Sequence, residues 1–170
     1  MKKVSALSIV AVIGLALGGI FGMAGTMVAQ ANLRALFWGI DGAGLVFATA
    51  ILALQHFRRG NDALASGFLV FAIGESVILT SAAAPLEATG PSFAAGTALW
   101  SAALLLTSIP PGFPIWTRAA GVIGAILFAI TSARILWGEQ VLPTSSPLPY
   151  FAYPFLVLSF LGWIWSVLRA

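Results

Sequence analysis

The sequence predicts an all-α polytopic membrane protein, a six-transmembrane-helix bundle in which residues 1–170 form a single transmembrane domain. Hydrophobic residues make up 60% of the chain and charged residues only 8%, whereas soluble domains carry about 25% charged residues. Such a chain has too little polar surface to cover a soluble sphere. Its apolar residues also form continuous runs that are long enough to cross a bilayer as helices. A β-barrel is disfavoured, because its strands would alternate apolar and polar residues.

Six apolar runs are separated by polar or proline-rich linkers, which end helices. We predict helices over about 4–28, 35–55, 63–83, 93–109, 115–137 and 150–168. The linker "HFRRGND" follows the second run and "PPGFP" follows the fourth. The last linker begins "GEQVLPTSSPLP". It is rich in proline, and we expect it to fold over the mouth of the bundle as a stiff cap.

The basic residues predict an N-in/C-in orientation, because Lys and Arg concentrate in cytoplasmic segments. With the N-terminus inside, the inner segments carry Lys2, Lys3, Arg58, Arg59, Arg118 and Arg169. The outer side carries Arg34, and Arg134 lies near the outer end of the fifth helix. We therefore predict a multi-pass protein of the cell inner (cytoplasmic) membrane with both termini in the cytoplasm.

The first run has some features of a signal peptide. Lys2 and Lys3 precede an apolar stretch that ends near the small-residue segment "AQA" at 29–31. A signal peptide has an apolar region of about 7 to 15 residues, and this run is longer. We expect it to be retained as a helix; cleavage within residues 1–31 is the alternative.

A glycine stripe runs along the first helix at Gly14, Gly18 and Gly22. Glycines four residues apart lie on one helix face and let two backbones approach closely. The favoured interpretation is helix packing within the chain. The alternative is the face of a homodimer, or of a contact with another protein in a membrane complex.

Three ionisable residues lie inside the apolar runs: Asp41, Glu75 and Arg134. A charge at the bilayer centre costs about 2.5 to 3.5 kcal/mol on insertion scales, so such residues face the bundle interior and are functional candidates by default. Their positions within the predicted helices place all three in the outer half of the bilayer. The sequence therefore predicts a buried polar cluster there.

Side-chain direction predicts how this cluster pairs, because helical side chains lean toward the N-terminus of their helix. The side chains of Asp41 and Arg134 are directed toward the same depth in the membrane. This predicts an ion pair between them if the second and fifth helices are neighbours. Glu75 leans away from Arg134 and is left without a cation. We therefore predict that Glu75 is protonated at neutral pH or is in contact with water.

Three further residues are candidates to line a pocket beside the cluster. Trp38 lies one helical turn before Asp41, on the same face and among glycines that weaken the helix. Thr97 and Ser101 share one face of the fourth helix, four residues apart.

No metal, cofactor or catalytic residue is predicted. The chain has no cysteine and one histidine, His56, which excludes thiolate sites and the several-histidine sites of zinc. No serine has a recognisable His/Asp partner. Nucleic acid is also disfavoured as a partner, because the basic residues lie at the ends of apolar runs and act as topology signals.

Three functional classes fit these observations. The first is a small transporter, channel or ligand-binding bundle that uses the buried Asp/Glu/Arg cluster. The alternative is an accessory or structural membrane subunit whose polar residues only fix helix packing. The third is an intramembrane enzyme, which is the least favoured. A cavity that reaches Glu75 would favour the first class, and a dry, hydrogen-bonded Glu75 the second.

Overall fold

The protein is all-helical in the computed structural model, which describes residues 5–169. Six helices follow in order: α1 Ala6–Met27, α2 Ala31–Arg58, α3 Asp62–Leu79, α4 Gly90–Ser108, α5 Ile115–Leu136 and α6 Tyr153–Arg169. A 3-10 turn at Leu86–Ala88 precedes α4. Each predicted run thus corresponds to one helix. Lys2 and Lys3, which contribute to the predicted orientation, lie outside the described residues.

The largest differences from the predicted helix ends, four residues each, fall at the start of α2 and at the end of α3. The polar segment before residue 35 is helical, and α2 already begins at Ala31, because alanine, leucine and arginine are all good helix formers. Conversely, α3 ends at Leu79 and not at residue 83. Beyond it, the amides of Ser81 and Ala82 bond to carbonyls three residues earlier, which makes tight turns before Pro85.

Local chemistry sets several other helix ends. The Ser5 hydroxyl accepts a hydrogen bond from the Ser8 amide at 3.1 Å and caps α1. Gly60 follows α2 with a φ of 70°, a left-handed conformation that favours glycine. The amide of Asn61 then bonds back to the His56 carbonyl at 3.0 Å, which satisfies one of the last carbonyls of the helix.

The helices form a closed ring in which each packs against the next and α1 packs against α6. Consecutive helices run antiparallel. The segments 28–30, 80–89 and 137–152 therefore lie at one end of the bundle, which we call the capped end. The segments 59–61 and 109–114 lie at the opposite end. Within the described ranges, α2 and α5 do not pack against each other.

The glycine stripe of α1 packs against α2. A Cβ atom added to Gly14 would collide with the carbonyl oxygen of Gly44, and one added to Gly18 would collide with the side chain of Leu45. Glycine is needed at both positions because the two backbones approach so closely. Within this chain, Gly14 and Gly18 therefore lie against α2, as the favoured interpretation expects.

The outer surface of the ring is apolar, as in a helix bundle that meets lipid. Large hydrophobic side chains such as Ile13, Ile20, Phe47, Leu69 and Ile126 are exposed. Four helices, α1, α2, α3 and α5, are long and apolar enough to cross a membrane. The helix α6 is apolar but has only 17 residues, and α4 contains several Ser and Thr residues. The chain is thus an apolar helical bundle consistent with a membrane protein.

Aromatic side chains fill the centre of the ring toward the opposite end. The rings of Phe68 and Trp163 meet edge to face with centroids 4.8 Å apart, and Phe71 meets Phe160 at 5.7 Å. All four residues are at most 2% exposed. This packing joins α3 to α6 across the ring. It fills the interior of the ring between Phe71 and the opposite end.

Candidate functional site

A cavity of about 60 Å³ lies in the bundle on the capped-end side of the aromatic core. This volume is several times what one buried water molecule requires. Residues of α1, α2, α3, α4 and α6 form its wall, which is mostly apolar. Its largest polar side chains are those of Trp38, Asp41, Glu75, Trp100 and Tyr153. A concave apolar site with a few convergent polar groups is the usual form of a ligand pocket.

Asp41 of α2 and Glu75 of α3 both line this cavity. Two glycines make room for their carboxyl groups. A Cβ atom added to Gly22 would lie 2.9 Å from Asp41 Oδ2, and one added to Gly42 would lie 3.3 Å from Glu75 Oε1. Glu75 is only 2% exposed, whereas Asp41 is partly exposed. Gly22 therefore does more than pack helices, since it also leaves the space that Asp41 occupies.

Both carboxyl groups have an oxygen atom without a hydrogen-bond partner among the described residues: Oδ1 of Asp41 and Oε2 of Glu75. The buried indole nitrogen of Trp100 also lacks a partner. This nitrogen lies near Glu75, but not in the geometry of a hydrogen bond. Buried polar atoms are normally paired, so these three atoms leave hydrogen-bonding capacity on the cavity side for water or another partner.

Tyr153 closes the cavity toward the capped end. Its hydroxyl group donates a hydrogen bond of 2.8 Å to the carbonyl oxygen of Pro143, and both residues line the cavity. The same hydroxyl lies within electrostatic range of Asp41 and Glu75. The segment 137–152 thus covers the mouth of the bundle, as its proline content predicts.

Arg134 does not belong to this site, so the predicted pair with Asp41 is wrong. The guanidinium of Arg134 binds Glu139, with Nε donating to Oε2 at 2.7 Å and Nη2 at 2.6 Å from the same oxygen. This pair is largely exposed at the end of α5. The physical reason is the order of the ring: α2 and α5 are not neighbours, and a nearer carboxylate follows α5 directly.

Of the predicted pocket-lining residues, Trp38 lines the cavity and the other two do not. The Thr97 hydroxyl donates to the Phe93 carbonyl of its own helix at 2.8 Å. The Ser101 hydroxyl donates to the Ala125 carbonyl at 2.8 Å and links α4 to α5. Both side chains are buried and paired, so they present no free group to a ligand.

Trp38 lies at the rim of the cavity beside a basic residue. The guanidinium carbon of Arg34 is 5.7 Å from the centre of the Trp38 ring. Its Nη1 atom lies 3.4 Å from the carbonyl oxygens of Val28 and Ala29. Arg34 is therefore held on the ring face and the end of α1, and it makes no ion pair with Asp41 in the part of the chain that the structure describes.

Sequence reasoning misses two members of the site, Trp100 and Tyr153. A signal for Trp100 exists, since it is the tryptophan that lies in the middle of a predicted helix, where an indole N–H needs a partner. Tyr153 has no such signal, because it falls in an aromatic segment next to the proline-rich linker. Its role depends on how α6 packs in the ring.

No protein-family model, curated protein or solved structure matches this chain. The site is therefore interpreted from its own geometry. Within residues 5–169, no three His, Asp or Glu side chains come together in a way that would hold a metal ion.

Proposed function

We propose that this chain is a six-span inner-membrane protein that binds a small ligand in its cavity and exchanges protons at Glu75 and Asp41, as a transporter or ligand-binding bundle. One observation carries the proposal. Two carboxyl groups share a mostly apolar cavity, and each has a buried oxygen without a partner in the described chain.

The cost of burying charge explains why this observation points to a ligand. A carboxylate that is buried without a cation costs several kcal/mol. Two carboxylates in one cavity also repel each other, so they do not both stay charged unless a cation joins them. Each group therefore holds either a proton or a positively charged ligand, and the cavity provides room for the exchange.

The groups that face Glu75 support proton exchange there. Asp41 faces it from α2, the Tyr153 hydroxyl from α6 and the Trp100 indole from α4, while α1 contributes no titratable side chain to the wall. Arg34 lies against the ring of Trp38, which belongs to the wall, but Arg34 is not itself a wall residue. Since no lysine, arginine or histidine lines the described cavity, its charge balance depends on protons or on a ligand.

The charges at the two ends of the bundle support an N-in/C-in orientation. Arg58, Arg59, Arg118 and Arg169 lie at the opposite end. At the capped end, Arg134 is neutralised by Glu139, which leaves Arg34. By the positive-inside rule the opposite end is cytoplasmic. The cavity then lies in the outer half of the membrane.

Infrared spectroscopy of the purified protein in liposomes tests the proposal through the absorbance of protonated carboxyl groups. A carboxyl band should change as the pH rises from mildly acidic to mildly alkaline values. Glu75→Gln should remove part of that change, because it replaces one titrating group with an amide of the same shape. Glu87→Gln, at an exposed glutamate, is the matched control. If the native protein and Glu75→Gln give the same difference spectra, Glu75 does not exchange a proton and the proposal fails.

A further inference from the structure

We infer that the ligand of the cavity is a small monovalent organic cation with N–H donors: a primary or secondary ammonium group on a compact apolar body, bound between Asp41 and Glu75. This inference rests on the proposed function and specifies the ligand class for the same site. It follows from the charge of the site, its free hydrogen-bond acceptors, its aromatic walls and its size.

The charge of the site selects a single positive charge. The described wall holds two carboxyl groups and no basic side chain. If one carboxyl group stays protonated, the other supplies one negative charge, which one ammonium group neutralises. An anionic ligand would place a third acidic group in the same cavity. A divalent metal ion would need more oxygen ligands than two carboxyl groups provide.

The free atoms of the site select a cation with N–H donors. Asp41 Oδ1 and Glu75 Oε2 are buried acceptors without partners among the described residues. A primary ammonium group has three N–H donors and can serve both carboxyl groups at once. A quaternary ammonium ion carries the same charge but has no N–H group, so it would leave both oxygens unpaired.

Aromatic rings supply the rest of the binding surface. Trp38, Phe93, Trp100, Tyr153 and Phe160 all contribute to the wall. Aromatic faces attract organic cations and also pack against apolar groups. The Trp38 ring already interacts with the guanidinium of Arg34 at the rim. An ammonium ion with an apolar body therefore matches the wall better than a hydrated inorganic cation does.

The dimensions of the site limit the ligand to a compact molecule. The cavity volume of about 60 Å³ suits an ammonium group with a short carbon chain, because a benzene ring alone occupies a cavity of roughly 150 Å³. Tyr153 and Pro143 cover it on the capped end, and Phe71 and Phe160 close the other side. Ethylammonium has a short carbon chain and one ammonium group, so it is a suitable probe.

Calorimetry with the protein in detergent tests the inference by comparing four probes: ethylammonium, tetramethylammonium, ethanol and acetate. Ethylammonium should bind at least about tenfold more tightly than each of the others, because only it offers both charge and N–H donors. Its binding to the native protein should release about one proton per protein into a weakly buffered solution. Glu75→Gln should weaken binding about tenfold, whereas Glu87→Gln should not change it. Asp41→Asn is the second variant if Glu75→Gln does not fold.

The outcomes separate this inference from the proposed function. If ethanol or acetate binds as tightly as ethylammonium, or if Glu75→Gln binds ethylammonium as the native protein does, the ammonium class is rejected while a ligand-binding cavity is retained. If no probe binds but Glu75 still titrates in the infrared experiment, compact ammonium ions are rejected and proton exchange stands. If no probe binds and Glu75 does not titrate, both proposals fail.

Discussion

Buried polar groups differ in their hydrogen bonding between the cavity and the interfaces of α4. At the α4 interfaces, which are the contacts of α4 with α3 and α5, two hydroxyl groups form hydrogen bonds between α4 and α5. Ser101 donates to the Ala125 carbonyl and Ser132 donates to the Ala94 carbonyl, both at 2.8 Å. In the cavity, Asp41 and Glu75 each retain a buried oxygen without a partner in the described chain.

This difference separates polar residues that stabilise the bundle from the two carboxyl groups that we propose bind a ligand. A hydroxyl group between helices satisfies its hydrogen-bonding capacity within the protein and adds to stability. A buried carboxyl group without a partner reduces stability. Its presence is therefore better explained by binding than by folding. The following predictions test the contrast, beginning with the largest expected effect.

The same Gly→Ala substitution should have different effects in the two regions. At Gly74 an added Cβ would lie 2.8 Å from the Leu99 Cβ and 3.1 Å from the Gly96 carbonyl oxygen, so α3 and α4 must separate. We expect Gly74→Ala to lower the free energy of unfolding by about 1 to 3 kcal/mol. At Gly22 the nearest atoms belong to the Asp41 carboxyl group, which can move into the cavity. Gly22→Ala should therefore cost less.

Unfolding of both variants in mixed micelles measures this difference. Gly39→Ala is the control, because a Cβ added there meets nothing within 4 Å. It should leave stability unchanged or raise it by up to about 1 kcal/mol. Equal losses for Gly74→Ala and Gly22→Ala would show that the cavity is as tightly packed as the α4 interfaces.

Removing the two interhelical hydroxyl groups should have an intermediate effect. Hydrogen bonds between membrane helices contribute about 0.6 kcal/mol on average, so Ser101→Ala combined with Ser132→Ala should cost about 1 kcal/mol. Ser76→Ala is the control, since that hydroxyl bonds only to the Ala72 carbonyl of its own helix at 2.8 Å. The same unfolding assay would contradict this assignment if the control lost as much stability as the double variant.

Neutralising the buried acid should not reduce stability. Glu75→Gln keeps the shape of the side chain and removes its ability to carry a charge, so we expect unchanged or slightly higher stability in the unfolding assay. The exposed substitution Glu87→Gln is again the control. A large loss of stability in Glu75→Gln but not in Glu87→Gln would mean that the Glu75 carboxylate has a stabilising partner. Glu75 would then have a structural role, like the paired hydroxyl groups at the α4 interfaces.

The smallest effect is expected for Arg134→Ala. Its pair with Glu139 is exposed, and exposed ion pairs contribute little. The melting temperature should stay within error of that of the native protein, and so should the melting temperature of Glu139→Gln. A clear decrease for Arg134→Ala but not for Glu139→Gln would show that Arg134 has a buried carboxylate partner after all.

The sequence predicts the helices well because each one is a long apolar run with its own ending signals. Six runs correspond to six helices, and Asp41 and Glu75, which the depth argument puts into one cluster with Arg134, both line one cavity. Pairing between helices is harder to predict, because it depends on their order around the ring. The assumed contact of α2 with α5 gave Arg134 the wrong partner, although Glu139 is only five residues away.

The cavity residues illustrate the same limit. Trp38 is predictable because it lies one turn from Asp41 on the same helix. Thr97 and Ser101 are predicted to line the cavity because they share a helix face. In the structure the Ser101 hydroxyl donates to a carbonyl of α5, and the Thr97 hydroxyl donates to a carbonyl of its own helix. Tyr153 depends on the packing of α6 beneath the proline-rich segment, which no periodicity in the sequence encodes.

Cysteine accessibility tests most directly whether the cavity has room for a small molecule while the α4 interfaces have none. The chain has no native cysteine, so single substitutions give a clean background. Leu156→Cys places a thiol in the cavity wall, and Leu104→Cys is a matched substitution at a fully buried leucine of α4. We predict that a small, uncharged thiol reagent labels Leu156→Cys and spares Leu104→Cys. Equal labelling, or equal protection, of the two thiols would contradict the account.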